Sequence, residues 1–256
     1  MRTDVIIAHV YAQEHRTYTD HQVRNSLYKE KYTQKVVENH PTEQDPVARQ
    51  SFRDLLKPPH LGGQFTSRQL LFVDESHMNL EACYRKYGRS PVNKPAWRRR
   101  PATFHGERST SVIASMSIRG IESATNLPIN NADTFLNVLE FDILLVMNPY
   151  PLEKSVLILD NAAVHDKVRI YALCARFGVI VLFLPTYSFD YNPIELIFHL
   201  AKNHIRQHEG IDAAHNPISL ALNRALYASC SVENACALFQ HCFIHVSAND
   251  QIWANT

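Results

Sequence analysis

The chain has 256 residues, 26 lysines and arginines against 25 aspartates and glutamates, and a formal net charge of +1. This length suits one domain of ordinary to large size with at most a small appendage, and 45% apolar with 20% charged residues describes a globular chain, neither disordered nor fibrous. The charge balance excludes a uniformly basic nucleic-acid coat, no apolar run approaches the ~18–20 residues of a membrane helix, no secretory signal pattern is present, and an odd five cysteines argue for a reducing compartment rather than a disulfide scaffold.

The first forty residues are polar and helix-prone. Thr19-Asp20 followed by HQVRNSLYKEK reads as a capped short helix with Val23 and Leu27 on one side, and His40-Pro41 ends it. A second helix is expected from about Thr42 to Leu56, stopped by Pro58-Pro59 and the Gly62-Gly63 turn. From Gln69 the pattern changes: QLLFVDES reads as a buried strand ending in acids, and STSVIASMSI with GIESATNLPI as a hairpin about Arg119-Gly120. Asp133 to Met147 reads as a helix. SVLILDN is a second buried strand, Val164 to Phe177 a helix stopped at Gly178, and VIVLFLP a third strand. NPIELIFHLAKNHIR is a helix with Pro193 in its first turn, and the tail is helical and net acidic. Strands, then helix, strand, helix, strand and helix describe a mixed α/β domain. The expected division is a helical segment over 1–57, a catalytic domain over 69–207 and a helical tail over 208–256.

The two most apolar strands each lead into an acid, Asp74 after LLFV and Asp160 after VLIL. A single such aspartate most simply caps the next turn or helix. Two of them, with Glu195 near the start of the helix after the third strand, form a set of hard oxygen donors where α/β sheets bind ligands. Such donors suit Mg²⁺ or Mn²⁺, and two ions held together clamp a phosphodiester, one activating the attacking oxygen and the other stabilising the leaving 3′-oxygen.

The phrases FVDES, SVLILDNAAVH and VLFLPTYSFDYNPIELIFHLAKNHIR, with thirty-four residues between Asp160 and Glu195, resemble the catalytic domain of mariner-like DDE transposases, the DDE superfamily endonucleases. The resemblance runs from about Gln69 to Gln207. It implies a ribonuclease H-like fold, with Asp74, Asp160 and Glu195 as catalytic metal ligands for two Mg²⁺ or Mn²⁺ ions. It further implies cut-and-paste transposition of double-stranded DNA at terminal inverted repeats, usually into TA, by a homodimer, with nuclear location following from the substrate. Asn161 and His165 match the family's "DNA..H" segment and Asn192 its proline turn, as supporting residues; a helix cap at Asn161 and a packed histidine at His165 are equally compatible. The family's usual LPPYSP is LPTYSF here, with Thr186 and Phe189 in place of prolines.

Between Arg85 and Arg108 stand Arg85, Lys86, Arg89, Lys94, Arg98, Arg99, Arg100 and Arg108 against Glu107 alone, a local net charge of +7. Its prolines suit an extended loop, and its charge suits DNA phosphates. Gln22, Arg24, Asn25 and Lys29 lie on a helix resembling the end of the family's helix-turn-helix region, and the segment ahead of the catalytic domain is expected to be too short for complete DNA-end recognition. Cys230, Cys236, His241, Cys242 and His245 fit no common zinc spacing and read as core cysteines with neighbouring histidines. Two alternatives stand beside the transposase reading: a transposon-derived DNA-binding protein that has lost mobility, and a ribonuclease H-type nuclease, which the basic segment and the acid spacing disfavour.

Overall fold

The computed structural model describes residues 3–35, 41–84, 87–97, 109–127, 131–162, 165–209 and 217–255, the side chains of 208 and 209 aside. The chain forms two compact units, 1–42 and 43–256. In the first, α1 (Thr3–Glu14) pairs with α2 (Asp20–Lys29). The expected cap is present: the Thr19 hydroxyl accepts from the Gln22 amide, and Gln22 Oε1 accepts from the Thr19 amide.

The second unit is built on a five-stranded sheet in the order β3-β2-β1-β4-β5. Its strands are β1 (Leu70–Asn79), β2 (Ser109–Ser117), β3 (Gly120–Leu127), β4 (Val156–Leu159) and β5 (Ile180–Phe183). β1, β2 and β3 pair antiparallel, the last two as the expected hairpin, whereas β4 and β5 run parallel to β1. Helices cover both faces, which is why VLIL and the start of LLFV are apolar without alternation.

One face carries Leu70, Phe72, Val112, Ala114, Met116, Val156 and Ile158. It packs on α6 (Pro193–His204), α7 (Ile218–Ser229), α8 (Val232–His241) and Phe52 of α3 (Pro46–Leu55), with α9 (Ala248–Ala254) closing the edge through Ala254. The other face, with Leu71, Val73, Ile113, Leu157, Leu159 and Val181, packs on α4 (Ala132–Val138) and α5 (Lys167–Arg176). Cys230, Cys236 and Cys242 are free thiols in the first core, and burial pushes Cys230 and Cys242 up to about 12.

Four expectations differ from the structure. The helix expected from Thr42 begins at Pro46, because Asp45 caps it by accepting from the Val47 and Ala48 amides. The helix expected from Asp133 to Met147 is regular only to Val138, then widens into a π turn at Leu139–Ile143 and tightens into a 3₁₀ turn at Leu144–Val146. β1 does not end at its acids but continues to Asn79, paired with β2. The helices expected to flank the catalytic domain, α3 in front and α7 to α9 behind, belong to the same unit as the sheet, since Phe52, Leu56, Ile218, Leu222 and Phe239 complete its core.

Candidate active site

The parallel pairing of β1 with β4 matches Leu70 with Val156 and ends at Val73 with Leu159. The next residue on each strand is Asp74 and Asp160, so two carboxylates leave neighbouring strands in step, at the ~4.8 Å strand spacing. They end the paired stretch because β4 is only four residues long. Glu195 is the third residue of α6, whose first position is Pro193, and the buried Ile194, Ile197 and Phe198 turn the glutamate away from the core.

Asp74 is 7% exposed. Its Oδ1 accepts from the Glu75 amide (2.7 Å) and its Oδ2 from Asn192 Nδ2 (2.9 Å). Burial, then the nearby charges of Glu195, Asp160 and Glu75, push its carboxyl up to about 8, although the Glu75 amide bond acts in the opposite direction. Asp74 thus has both other expected acids, Glu195 and Asp160, as electrostatic neighbours. Asp160 goes the other way: burial would raise it, but hydrogen bonds from His165 and the Ala162 amide hold it below the usual range. Asp160 Oδ1 lies 2.9 Å from His165 Nε2 and 3.2 Å from the Ala162 nitrogen.

His165 is buried, its ring centroid 4.4 Å from that of Phe135. Asn192 is also buried, directly ahead of α6, and ties Asp74 to the start of that helix. Asn161 is exposed and binds neither acid. It donates to Thr186 Oγ1 (3.3 Å) and accepts from Lys167, while Asp166 caps α5.

One group escaped the sequence reading. Glu75 Oε2 lies 3.8 Å from His165 Nε2, and Glu75, Asp160 and His165 each offer a ligand atom within 4.8 Å of the others. Strand alternation turns Glu75 to the face opposite Asp74, and nothing in FVDES announces that the loop after β4 will bring a histidine to it. Lys202, half-buried on α6, was likewise passed over; burial lowers its pKa while Glu195, in electrostatic reach, raises it.

Glu75, Asp160 and His165 fit a divalent cation: two hard carboxylate oxygens and one imidazole, their ligand atoms all within 4.8 Å of one another. Among the expected DNA contacts, Arg89 and Lys94 are exposed on the loop after β1, beside the exposed Tyr87 and Trp97. Arg85, Lys86, Arg98, Arg99, Arg100 and Arg108 lie outside the described residues. On α2, Gln22 is engaged in the cap, Arg24 pairs with Asp20 (2.8 Å) and Asn25 bonds His21 (3.0 Å), so three of its four candidate base contacts have local partners.

Among solved structures, the chain is similar to the Mos1 strand transfer complex, with a TM-score of 0.52 and 14% identity over 95% of this chain and 79% of that one. It is also similar to the mariner Mos1 paired end complex with Mg, at 0.53 and 17% over 93% and 76%. The Mos1 transposase catalytic domain with Raltegravir and Mg matches at 0.51 and 12% over 80% and 94%. Comparison with curated proteins returns no match. The likeness to the solved structures is one of fold: a ribonuclease H-like mixed sheet flanked by helices. The model of the DDE superfamily endonucleases matches residues 69–216, more than half of the chain, with Asp74, Asp160 and Glu195 inside the match, and this protein belongs to that family of nucleases.

Proposed function

We propose that this chain is the catalytic part of a cut-and-paste transposase, which hydrolyses a DNA strand and then joins the freed 3′-hydroxyl to target DNA. The observation that carries this reading is the convergence of Asp74, Asp160 and Glu195 at one edge of a ribonuclease H-like sheet, in a chain of the DDE superfamily. These three acids would hold two Mg²⁺ or Mn²⁺ ions, with Glu75 and His165 at the Asp160 side of the set. When bound, the ions activate the attacking water or 3′-hydroxyl and stabilise the leaving oxygen of an in-line displacement.

The protein's own residues supply orientation. Asn192 holds one oxygen of Asp74, and His165 with the Ala162 amide holds Oδ1 of Asp160, leaving its Oδ2 for a cation. Arg89 and Lys94, with the basic residues around them in sequence, would carry the phosphate backbone of double-stranded DNA. Terminal inverted repeats as the substrate, TA as the target, a homodimer that joins two ends, and a nuclear location belong to the same reading, supported by the family resemblance and by the likeness to the Mos1 strand transfer and paired end complexes.

A supercoiled plasmid carrying the DNA that flanks the gene tests it. Purified protein is expected to nick or cut this plasmid only with Mg²⁺ or Mn²⁺, and Asp160→Ala to abolish cutting. Cleavage in EDTA, or an Asp160→Ala variant as active as the parent, would falsify the three-acid mechanism. Retained DNA binding without cleavage would instead support a DNA-binding protein that has lost mobility.

A further inference from the structure

Glu195 is exposed, and its direction is set by the segment that leads into α6. That segment has little regular structure, one 3₁₀ turn at Phe189–Tyr191. Thr186 and Phe189 stand where prolines would have fixed φ, and Tyr187 occupies the left-handed region at φ 55°, costly for a non-glycine residue. Something outside the segment must hold it.

The holder is α3 with its lead-in. The Arg49 guanidinium forks onto Asp190, with 2.8 Å to Oδ1 and 2.6 Å to Oδ2, and donates to Ser188 Oγ at 2.9 Å. The same guanidinium lies 4.2 Å from the centroid of the Tyr191 ring. Phe52 stacks on that ring at 6.0 Å and 7°, Phe243 meets its edge at 5.7 Å, and Gln44 Nε2 donates to the Tyr187 carbonyl at 2.8 Å. Tyr187, Ser188, Asp190 and Tyr191 are thus all held by residues outside the segment, mostly from α3 and its lead-in. The next residue, Asn192, donates to Asp74, and its carbonyl accepts from the Glu195 amide at 3.3 Å.

We infer that Arg49 is a positioning residue for Glu195: by clamping Ser188, Asp190 and Tyr191 it fixes the entry to α6, and with it the register of Glu195 against Asp74 and Asp160. The inference rests on the metal-dependent reading of the acids. Phe52 and Leu56 already anchor α3 in the core, so the Arg49 fork is not needed merely to dock that helix. A bidentate fork seated on a ring removes sliding as well as rotation, which a lysine in its place would not do.

The test compares full-length wild type, Arg49→Ala, Arg49→Lys and Asp160→Ala. Mn²⁺ binding is read from the free-ion electron paramagnetic resonance signal, alongside Mn²⁺-dependent nicking of supercoiled plasmid, plasmid retardation on gels, and thermal melting. Arg49→Ala is expected to bind Mn²⁺ about 10-fold more weakly and to nick about 10- to 100-fold more slowly, the range for losing a group that orients a ligand. Its plasmid retardation should be unchanged, and Arg49→Lys should fall between the two. Wild-type Mn²⁺ affinity and rate in folded Arg49→Ala would overturn the inference, as would a loss matching only the unfolded fraction. If Arg49→Ala does not fold, Asp190→Asn, which keeps the shape of the pair, is held to the same standard. A wild type with no Asp160-dependent Mn²⁺ binding and no nicking would remove the metal-dependent reading itself, and the positioning role with it.

Discussion

At the scale of single residues, the site depends on how each carboxylate is held. Asp74 is enclosed and bonded at both oxygens, whereas Asp160 stands at the strand end with His165 against its Oδ1. His165→Ala would leave that oxygen with the Ala162 amide alone and open a cavity beside Phe135. The expected outcome is a 10- to 100-fold slower Mn²⁺-dependent nicking rate with a higher Mn²⁺ requirement. A variant that nicks at the parental rate would show that the histidine only packs. The three acids were legible because their spacing and neighbouring phrases survive in linear order. Glu75, Lys202 and Arg49 were not. Glu75 and Arg49 act across the fold, with 84 residues between Glu75 and Asp160 and 140 between Arg49 and Asp190, and no local pattern marks such a partner; Lys202 shares α6 with Glu195, but only the packing of that helix half-buries it.

At the scale of elements, the strands followed their apolar runs closely, and the helices followed their caps. What periodicity could not show was how long each strand stays paired. β1 runs on past Asp74 because β2 offers eight partners, while β4 offers four. The turn between β2 and β3 has its own constraint. Gly120 sits at φ +117°, and a Cβ there would lie 2.8 Å from the Cys230 carbonyl oxygen at the end of α7. Gly120→Ala therefore combines a disfavoured backbone with a backbone clash, at a cost of about 2–3 kcal/mol. Melting should drop by about 4–12 °C, given ~2–4 °C per kcal/mol in a domain of this size. An unchanged melting temperature would mean that the hairpin and the tail helix part without cost.

At the scale of the whole molecule, the proposed metal-binding role of the acids predicts that stability depends on pH and on cations. The Asp74 carboxyl is pushed from 3.8 up to about 8 on folding. A group whose pKa rises on folding contributes stability that is fully present below its unfolded value and is lost as pH rises through the folded one. Metal-free protein should therefore melt at a lower temperature at pH 9 than at pH 6. Mg²⁺ or Mn²⁺ should raise melting more at pH 9, where the crowded carboxylates are ionised, and binding to the folded state alone supplies the stabilisation. Equal cation effects at both pH values, or none, would argue that the carboxylates do not share an ion.

The amino-acid sequence by itself determined the alternation of strands and helices, the identity of the three spaced acids and the kinship with DDE superfamily endonucleases, because periodicity, caps and motif order are local and need no partner. It also marked the +7 segment, of which Arg89 and Lys94 are described as exposed. Only the tertiary structure decided that Asp74 is buried and Asp160 held by a histidine, that Glu75 joins them from the opposite face, and that α3 and the tail helices complete one core with the sheet. Those facts depend on which distant segments meet. Strand register and packing volume choose those meetings for the chain as a whole, and neither is written in any one stretch of it.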